Sequence, residues 1–152
     1  MNNVEIMKWE ERYAEDFISL SIEWLEKYVS VEPADLKIIH HPHEVILDKG
    51  GAIFFAKSED RIVGTVAMIK MKDTFELAKL AVTEEYKGLK IGNLLMEAAI
   101  DFARNSGVSS IYLLTNHTLL PAIGLYKKYG FYQVPLVDNE YIESDMKMLL
   151  DL

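Results

Sequence analysis

The chain has 152 residues, half of them hydrophobic, and a formal net charge of −8 at pH 7. This length suits one domain with a substantial core, which we expect to span residues 1–152. Cysteine is absent, which excludes disulfides, thiolate metal ligands and cysteine nucleophiles. The acidic charge argues against nucleic acid as a partner, so a polyanionic ligand would need a local basic or N–H-rich site.

Neither a membrane span nor a secretory leader is predicted. The sequence has no apolar run near the ~20 residues that cross a bilayer. The first residues, MNNVEIMKWEERY, lack a basic stretch followed by an apolar one. We therefore expect a cytoplasmic protein that does not use a membrane as a partner.

The first forty residues predict one strand and two helices. Residues 4–9 alternate weakly and suit a strand, whereas residues 13–29 have helical apolar spacing. Pro33 stands where a second helix could begin, with residues 35–39 as its body.

His40, His41 and His43 then cluster around Pro42. A metal site would require these side chains to converge, usually with carboxylate support. The cluster has no helical i, i+4 pair, so we interpret it as a surface loop and predict no metal.

The middle of the chain predicts an antiparallel meander of three strands. Residues 52–57 and 61–72 are joined by a hairpin turn at 58–60, and residues 74–82 return after Asp73. The second of these strands is long, continuous and rich in β-forming residues. We therefore place it centrally in the sheet.

A helix, a strand and another helix follow the meander. Residues 91–106 form the clearest amphipathic helix. The short strand over 109–115 runs parallel to the third meander strand if the crossover is right-handed, and the next helix begins near Pro121.

The chain ends with two predicted strands, over residues 131–134 and 144–150, joined by a loop that contains Asp138 and Asn139. The apolar residues that alternate on the second strand are Met146, Met148 and Leu150. This strand could pair across a homodimer. The order β-α-α-β-β-β-α-β-α-β-β predicts an α/β (α+β) fold around a mixed, mostly antiparallel sheet of about seven strands.

A glycine-bearing turn joins the third meander strand to the long helix. Its sequence is Lys87-Gly88-Leu89-Lys90-Ile91-Gly92. At a helix N-terminus the backbone N–H groups lack helical partners and the dipole adds partial positive charge, so the turn can bind an anion. Alone the pattern is weak, because many strand–turn–helix units contain two glycines and bind nothing.

Two predicted parallel strands, ending at Val82 and Asn116, each lead into a helix. Ligands of open sheets bind outside the carboxyl ends of such strands. A ligand with a pyrophosphate and a long amide-rich arm would fit, with the phosphates on the turn. If the strands splay, their free backbone groups can pair with the arm's amides as an added strand would.

The segment 75–134 resembles the acyl-CoA-binding half of the GNAT superfamily of N-acyltransferases. The family's pyrophosphate motif is Arg or Gln, two residues, Gly, one residue, then Gly or Ala. Gly92 matches its second glycine, whereas Lys87 replaces Arg or Gln and Lys90 replaces the first glycine. We expect Lys90 in ordinary helical geometry, since φ > 0 would cost lysine on the order of 1 kcal/mol or more. The block 114–131 is similar to the family's TN…A…LY…GF signature.

This resemblance implies an acyl-CoA cleft between the splayed strands. It implies that the backbone of residues 80–82 pairs with the pantetheine arm and polarises the thioester carbonyl. Tyr126 would protonate the CoA thiolate, and the Asn116 side chain would hydrogen-bond the arm. The implied cofactor-binding residues are Leu80, Ala81, Val82, Lys87, Gly88, Leu89, Lys90, Ile91, Gly92, Asn93 and Asn116.

Three of these residues also suit structural roles. Tyr126 lies at helical spacing with Ala122 and Tyr129, as a core residue would, but the LY…GF block favours catalysis. Asn116 could cap the next helix, bind the arm, or do both. Lys87 on a turn would usually be solvated, and the motif favours proximity to phosphate.

Glu76 is the candidate general base, because an amine acceptor is mostly ammonium at neutral pH and must lose a proton before attack. Strict alternation places Glu76 on one face with Leu80 and Val82. Some family members use a glutamate here, often through water. The alternative is a structural carboxylate paired with a neighbouring lysine, and the sequence favours neither.

We therefore predict an N-acetyltransferase that moves an acetyl group from acetyl-CoA to a primary amine of a small molecule or peptide, by direct attack in a ternary complex. One alternative is a non-catalytic acyl-CoA sensor of the same fold. Another is a nucleotide-binding protein unrelated to CoA, which leaves the LY…GF block unexplained. The net charge mildly favours a small cationic acceptor. Trp24, Tyr28 and Tyr141 could line its pocket, although a structural role suits each of them better.

Overall fold

The structure, a computed structural model, describes residues 3–137 and 141–152; the predicted loop residues Asp138 and Asn139 lie outside this range. The strands are β1 (Val4–Lys8), β2 (Ala52–Ser58), β3 (Arg61–Lys70), β4 (Phe75–Val82), β5 (Ser110–Thr115), β6 (Tyr132–Val134) and β7 (Met146–Asp151). The helices are α1 (Ala14–Tyr28), α2 (Pro33–His40), α3 (Pro42–Val45), α4 (Ile91–Asn105) and α5 (Leu120–Lys128).

The strands form one sheet in the order β1-β2-β3-β4-β5-β7-β6. Neighbouring strands are antiparallel except for β4 and β5, which are parallel. This confirms the predicted mixed, mostly antiparallel sheet and the parallel pair. The central position predicted for β3 is also confirmed, because it lies between β2 and β4 and is buried along most of its length.

Each face of the sheet is covered by a separate set of helices. On one face α4 buries its apolar side against β3 and β4, with Leu95, Met96 and Ala99 fully enclosed. On the other face α1 and α2 pack through Phe17 and Ile39. Large apolar side chains buried in this way each contribute about 1.5–3 kcal/mol, so the sheet is held firmly between the two layers.

β4 and β5 diverge soon after they begin to pair. Their register covers only Phe75↔Ile111 and Glu76↔Tyr112. Beyond this point β4 remains paired with β3, and β5 remains paired with β7. The facing edges of residues 77–82 and 113–115 are therefore not paired with each other, which is the predicted splay.

A β-bulge at Lys79 interrupts the alternation of β4. Lys79 has φ 55°, and the register to β3 shifts at this point. Because a bulge adds one residue to one strand, the side chains beyond it change faces. Leu80 and Val82 therefore pack on the α4 side, whereas Ala78 packs on the α1 side. The prediction that Glu76 shares a face with Leu80 and Val82 is wrong for this reason.

β7 is an inner strand of this chain. It pairs with β5 on one side and β6 on the other. Met146, Met148 and Leu150 are buried in the core below β7. These side chains are thus engaged within the chain, and the argument that β7 could pair across a homodimer loses its basis.

The histidine segment is more helical than the predicted loop: His40 ends α2, His41 lies between the helices and His43 belongs to α3, and all three are exposed. Within residues 3–137 and 141–152, no three His, Asp or Glu side chains are placed to hold a metal ion. None of the helices described has the length and apolar character needed to span a bilayer.

Candidate active site

The turn between β4 and α4 contains two residues in the left-handed region. The chain passes through a short 3₁₀ turn at Glu84–Tyr86, is extended at Lys87, and is left-handed at Gly88, with φ 80°. Lys90 is the N-cap of α4 and has φ 63° and ψ 22°. The prediction of helical geometry at Lys90 is wrong, because the turn into α4 requires a left-handed residue here. A lysine carries a cost of about 1 kcal/mol or more there that glycine would avoid.

The first N–H groups of α4 precede its hydrogen-bond ladder. The Leu94 N–H donates to the Lys90 carbonyl at 3.3 Å and closes the first helical turn. The amides before it are therefore orphan donors at the positive end of the dipole. A Cβ added to Gly92 would meet only Leu125 Cδ2, at 3.6 Å. The fold itself does not require glycine at this position, and the bare backbone leaves room for a ligand.

Lys87 belongs to a cluster of charges at the mouth of this turn. Its ammonium lies 4.1 Å from the Tyr28 ring centroid, donates to the Tyr28 hydroxyl, and is 3.2 Å from Glu84 Oε1. Lys27 Nζ lies 2.7 Å from Glu84 Oε2. The hydrogen bond from Lys27, with those from Tyr28 and Lys87, lowers the pKa of Glu84 to about 2. The cluster ties the end of α1 to the β4–α4 turn.

A cavity of about 490 Å³, here called the β4–α4 cleft, opens between this turn, the end of β4 and α5. Trp24 and Tyr28 of α1 close one side of it. Most of the cofactor-binding residues expected from the sequence line it, namely Leu80, Ala81, Val82, Lys87, Gly88, Lys90, Ile91, Gly92 and Asn93. Leu89 and Asn116 lie outside its walls.

Tyr126 of α5 is buried in the wall of the cleft. Its ring packs edge-on against Phe131, with centroids 6.0 Å apart. Among the described residues, no group hydrogen-bonds its hydroxyl. Burial raises the pKa of Tyr126 to about 12, so the hydroxyl keeps its proton and can act as a donor.

A second cavity, of about 110 Å³, lies between the diverging ends of β4 and β5 and against α1 and α2, with residues 76–81 and 114–116 among those that line it. We call it the acidic cavity. Its polar and charged walls include Ser21, Glu32, Asp35, Glu76, Lys79 and Glu143. The two cavities share Trp24, Leu80, Ala81, Leu119 and Tyr126. A molecule in one cavity would therefore reach the wall of the other.

Glu76 faces the acidic cavity from β4. The Tyr112 hydroxyl donates to Glu76 Oε1 at 3.4 Å. The adjacent lysine on this strand, Lys79, instead pairs with Asp35, and both of these side chains are almost fully buried. Glu76 is thus placed beside a cavity that meets the β4–α4 cleft.

The Asn116 side chain stabilises the turn before α5. Its Oδ1 accepts hydrogen bonds from the Thr118 N–H at 2.9 Å and the Thr118 hydroxyl at 2.7 Å. Its Nδ2 donates to the Glu143 carbonyl. α5 itself begins later, at Leu120. Asn116 therefore makes an Asx turn rather than a helix cap, and its contact with an arm stays a prediction.

Of the residues that line the acidic cavity from α1 and α2, sequence reasoning named Trp24 but missed Ser21, Glu32 and Asp35. Glu32 and Asp35 flank the start of α2, and Glu32 also receives the N–H groups of Ile142 and Glu143, at 2.7 and 3.0 Å. The spacing of Glu32 and Asp35 around Pro33 resembles a capping box. That signal predicts a helix start, and it contains nothing about the distant segments that complete the cavity.

Residues 6–131 match the family model described as Acetyltransferase (GNAT) family. This match covers most of the chain, and the divergence of β4 from β5 agrees with it. The chain belongs to the GNAT family. Its curated relatives include human N-acetyltransferase 8B, 34% identical over 88 residues that cover 54% of this chain and 39% of the relative. N-acetyltransferase family 8 member 2 of Rattus norvegicus is 29% identical over 112 residues, covering 70% and 48%. The chain thus matches less than half the length of these relatives.

Solved structures show the same fold over nearly the whole chain. A GNAT-family acetyltransferase from Staphylococcus aureus Mu50 has a TM-score of 0.88 at 21% identity, covering 98% of this chain and 99% of that one. The PaiA N-acetyltransferase from Thermoplasma acidophilum, solved in complex with coenzyme A, has a TM-score of 0.73 at 17% identity, with 99% of each chain covered. At these identities the likeness concerns the fold.

Proposed function

We propose that the protein is an N-acetyltransferase that moves an acetyl group from acetyl-CoA to a primary amine. The observation that carries this proposal is the divergence of β4 from β5 in a GNAT chain, next to the N-terminus of α4 and the β4–α4 cleft. The names of the relatives support transfer to nitrogen.

The β4–α4 cleft and the adjoining gap between β4 and β5 together fit acetyl-CoA. The free edges of residues 77–82 and 113–115 offer backbone groups to the amides of a pantetheine arm. Backbone N–H groups in residues 87–93 would hold the pyrophosphate, assisted by the helix dipole and by the ammonium groups of Lys87 and Lys90. The volume of about 490 Å³ lies within the range of small-molecule sites.

Bound acetyl-CoA would supply an activated acetyl thioester. During transfer a C–N bond forms and the C–S bond breaks, while the amine loses one proton and the sulfur gains one. Tyr126 would give the sulfur its proton, because its buried hydroxyl lies in the cleft wall. Its pKa of about 12 keeps this hydroxyl protonated at neutral pH. A backbone N–H in residues 80–82 would stabilise the charge that develops on the carbonyl oxygen.

Glu76 would take the proton that the amine must lose, directly or through water. Its position beside the acidic cavity supports this role, since that cavity shares walls with the cleft. We propose direct transfer in a ternary complex, because adjoining cavities allow donor and acceptor to be bound together. The absence of cysteine leaves no cysteinyl intermediate to compete with this route.

Thermal unfolding with CoA tests the binding half of the proposal. A ligand at a hundred times its Kd adds about 2.7 kcal/mol to the free energy of unfolding, which raises Tm by roughly 5–10 °C in a chain of this size. We expect this shift with CoA and acetyl-CoA. A shift with ATP or a dinucleotide but not with CoA would contradict the proposal.

Release of free CoA tests the catalytic half. We expect acetyl-CoA to yield free thiol in the presence of at least one member of a panel of polyamines, amino acids, aminoglycosides and peptides. Thermal stabilisation by CoA without thiol release from any amine would indicate the alternative, a non-catalytic acyl-CoA sensor.

A further inference from the structure

Lys79 occupies a backbone position that favours glycine. Between two consecutive pairs of the β3–β4 register, Val66 stands opposite both Lys79 and Leu80, and Lys79 has φ 55°. A bulge whose first residue is left-handed normally has glycine at that residue. The backbone alone therefore gives no reason for a lysine here, because any L side chain at this φ is strained.

The Lys79 side chain is buried in an ion pair that joins β4 to α2. Its ammonium pairs with Asp35, and the two side chains are 8% and 4% exposed. The ring centroid of Tyr141 lies 5.5 Å from the same ammonium. The second carboxylate oxygen of Asp35 accepts the N–H of Glu32 at 2.9 Å, at the start of α2. Two charges removed from water carry a desolvation cost even when they pair, so Lys79 combines this cost with backbone strain.

Both costs fall on the residue that precedes the proposed thioester site. Leu80 and Ala81 directly follow Lys79, and both of them line the acidic cavity as well as the β4–α4 cleft. The dihedral angles of Lys79 set the direction in which the next N–H groups of β4 point. A strained backbone conformation persists only where the surrounding structure enforces it, and the buried ion pair with Asp35 is a contact that does so.

We infer that Lys79 is a positioning residue, which through its ion pair with Asp35 holds the bulge of β4 so that a backbone N–H of residues 80–82 points at the thioester carbonyl. Lys79 acts through the backbone and not by contact with the acetyl group. Because Asp35 is fixed at the start of α2, the pair also sets the position of the bulge against that helix. This inference rests on the proposed N-acetyltransferase function.

The first test removes the ion pair without leaving a buried charge. The double variant Lys79→Gly with Asp35→Asn gives the bulge the residue that it favours and keeps an oxygen for the Glu32 N–H. We expect a Tm close to that of the wild type, because no unpaired charge remains and the strain is relieved. We expect kcat to fall about tenfold or more, since a small misplacement of a group at the reacting centre causes such a loss. A wild-type kcat in this variant would show that the pair only stabilises the fold, and would overturn the inference.

Glu59→Gly is the matched control for the change to glycine. Glu59 has φ 56° and is exposed in the turn between β2 and β3. Glycine relieves the same kind of strain there, at a distance from the bulge along the sheet. We expect an unchanged kcat, and a loss as large as that of the double variant would overturn the inference by showing a general effect of glycine.

Infrared spectroscopy of bound acetyl-CoA tests the positioning without an acceptor. A hydrogen bond to the thioester oxygen lowers the C=O stretching frequency, and a difference spectrum between carbonyl-labelled and unlabelled acetyl-CoA isolates this band. We expect binding to the wild type to lower the frequency, and the double variant to lose roughly half of that shift or more. The Glu59→Gly variant should keep the whole shift.

The outcomes separate this inference from the proposed function. An equal shift in the wild type and the double variant would overturn the inference and leave the N-acetyltransferase function standing, as would a wild type whose band does not move while amines are still acetylated. If no amine is acetylated, a shift that the double variant loses would support the positioning role of Lys79, and the catalytic proposal alone would fail.

Discussion

Tyr126 is the residue on which the proposed chemistry depends most directly. Tyr126→Phe removes the hydroxyl and keeps the ring that packs on Phe131. We expect kcat to fall about a hundredfold or more, as for loss of a general acid, with KM for acetyl-CoA within about twofold. Steady-state thiol release measures both. Tyr132→Phe is the control, because that hydroxyl is on an exposed residue and donates to Asp151. A wild-type kcat in Tyr126→Phe would exclude the acid role.

Lys90 combines a strained backbone with a charge beside the cleft. Lys90→Asn keeps a residue that tolerates the left-handed region and removes the ammonium. We expect Tm to hold and the Kd for CoA to weaken several-fold at low ionic strength. The difference should shrink near 1 M salt, where the Debye length is about 3 Å. Lys72→Asn removes an equal charge from an exposed turn and should leave the Kd alone. No change in Kd for Lys90→Asn at any salt concentration would place the ammonium away from the phosphates.

Single residues illustrate what the sequence can and cannot reveal. Tyr126 and the 87–93 turn were predictable, because each sits in a motif with fixed spacing. The left-handed conformation of Lys90 was not, because intrinsic preference opposes it and only the tertiary path into α4 imposes it. Lys79 was unpredictable for the same reason, since its bulge depends on the register to β3.

At the scale of the element, the N-terminus of α4 offers a direct test of the phosphate site. Gly92→Ala places a methyl group where only Leu125 is near, at 3.6 Å. Alanine should raise helix stability by up to about 1 kcal/mol, whereas CoA affinity should fall about tenfold or more, since the methyl group would stand among the anion-binding N–H groups. Thermal unfolding and calorimetry measure the two effects.

Gly124→Ala is the matched control for that substitution. Gly124 lies within α5, and an added Cβ would meet nothing within 4 Å. We expect the same gain in stability without any change in CoA affinity. If Gly92→Ala binds CoA as tightly as Gly124→Ala does, the N-terminus of α4 is not the phosphate site.

The elements themselves were largely predictable, because apolar periodicity marks each of the longer ones. α1, α4 and β3 lie within a few residues of their expected bounds. The bounds of the short α3 could not be read from the sequence, since four residues carry no periodicity. The bulge in β4 was also missed, and it reversed the expected faces of Leu80 and Val82.

At the scale of the whole molecule, Glu84 joins α1 to the β4–α4 turn through Lys27, Tyr28 and Lys87. The hydrogen bond from Lys27 is the largest cause that lowers the pKa of Glu84 from 4.5 to about 2. A carboxyl group whose pKa is lower in the folded state than in the unfolded state stabilises the fold at pH values above its unfolded-state pKa. This stabilisation is lost as the pH falls through the folded-state pKa. We therefore expect the wild-type Tm to fall between about pH 4.5 and pH 2. The Tm of Glu84→Gln should fall less steeply over the same pH range. Glu26→Gln should follow the wild type; coincident curves for all three proteins would contradict the assignment.

The order of elements was predictable, and the right-handed crossover made β4 and β5 parallel. The splay of β4 from β5 was expected only from the resemblance to the GNAT superfamily. The acidic cavity was not predictable. Its walls come from α1, from the start of α2, from β4, from the end of β5 and the segment that leads into α5, and from residues 141–144. Side chains that meet across such sequence distances leave no local pattern, so only the folded chain reveals which carboxylates share a cavity.

The divergence of β4 from β5 also bears on solubility. A strand edge without a partner is a template for pairing with another chain, and proteins normally cover or charge such edges. Here two edges face each other across a cleft, so any segment that slips between them could seed association. We expect a ligand bound between the two strands to cover both unpaired edges and so to prevent this association. The protein should therefore be handled and concentrated with CoA present.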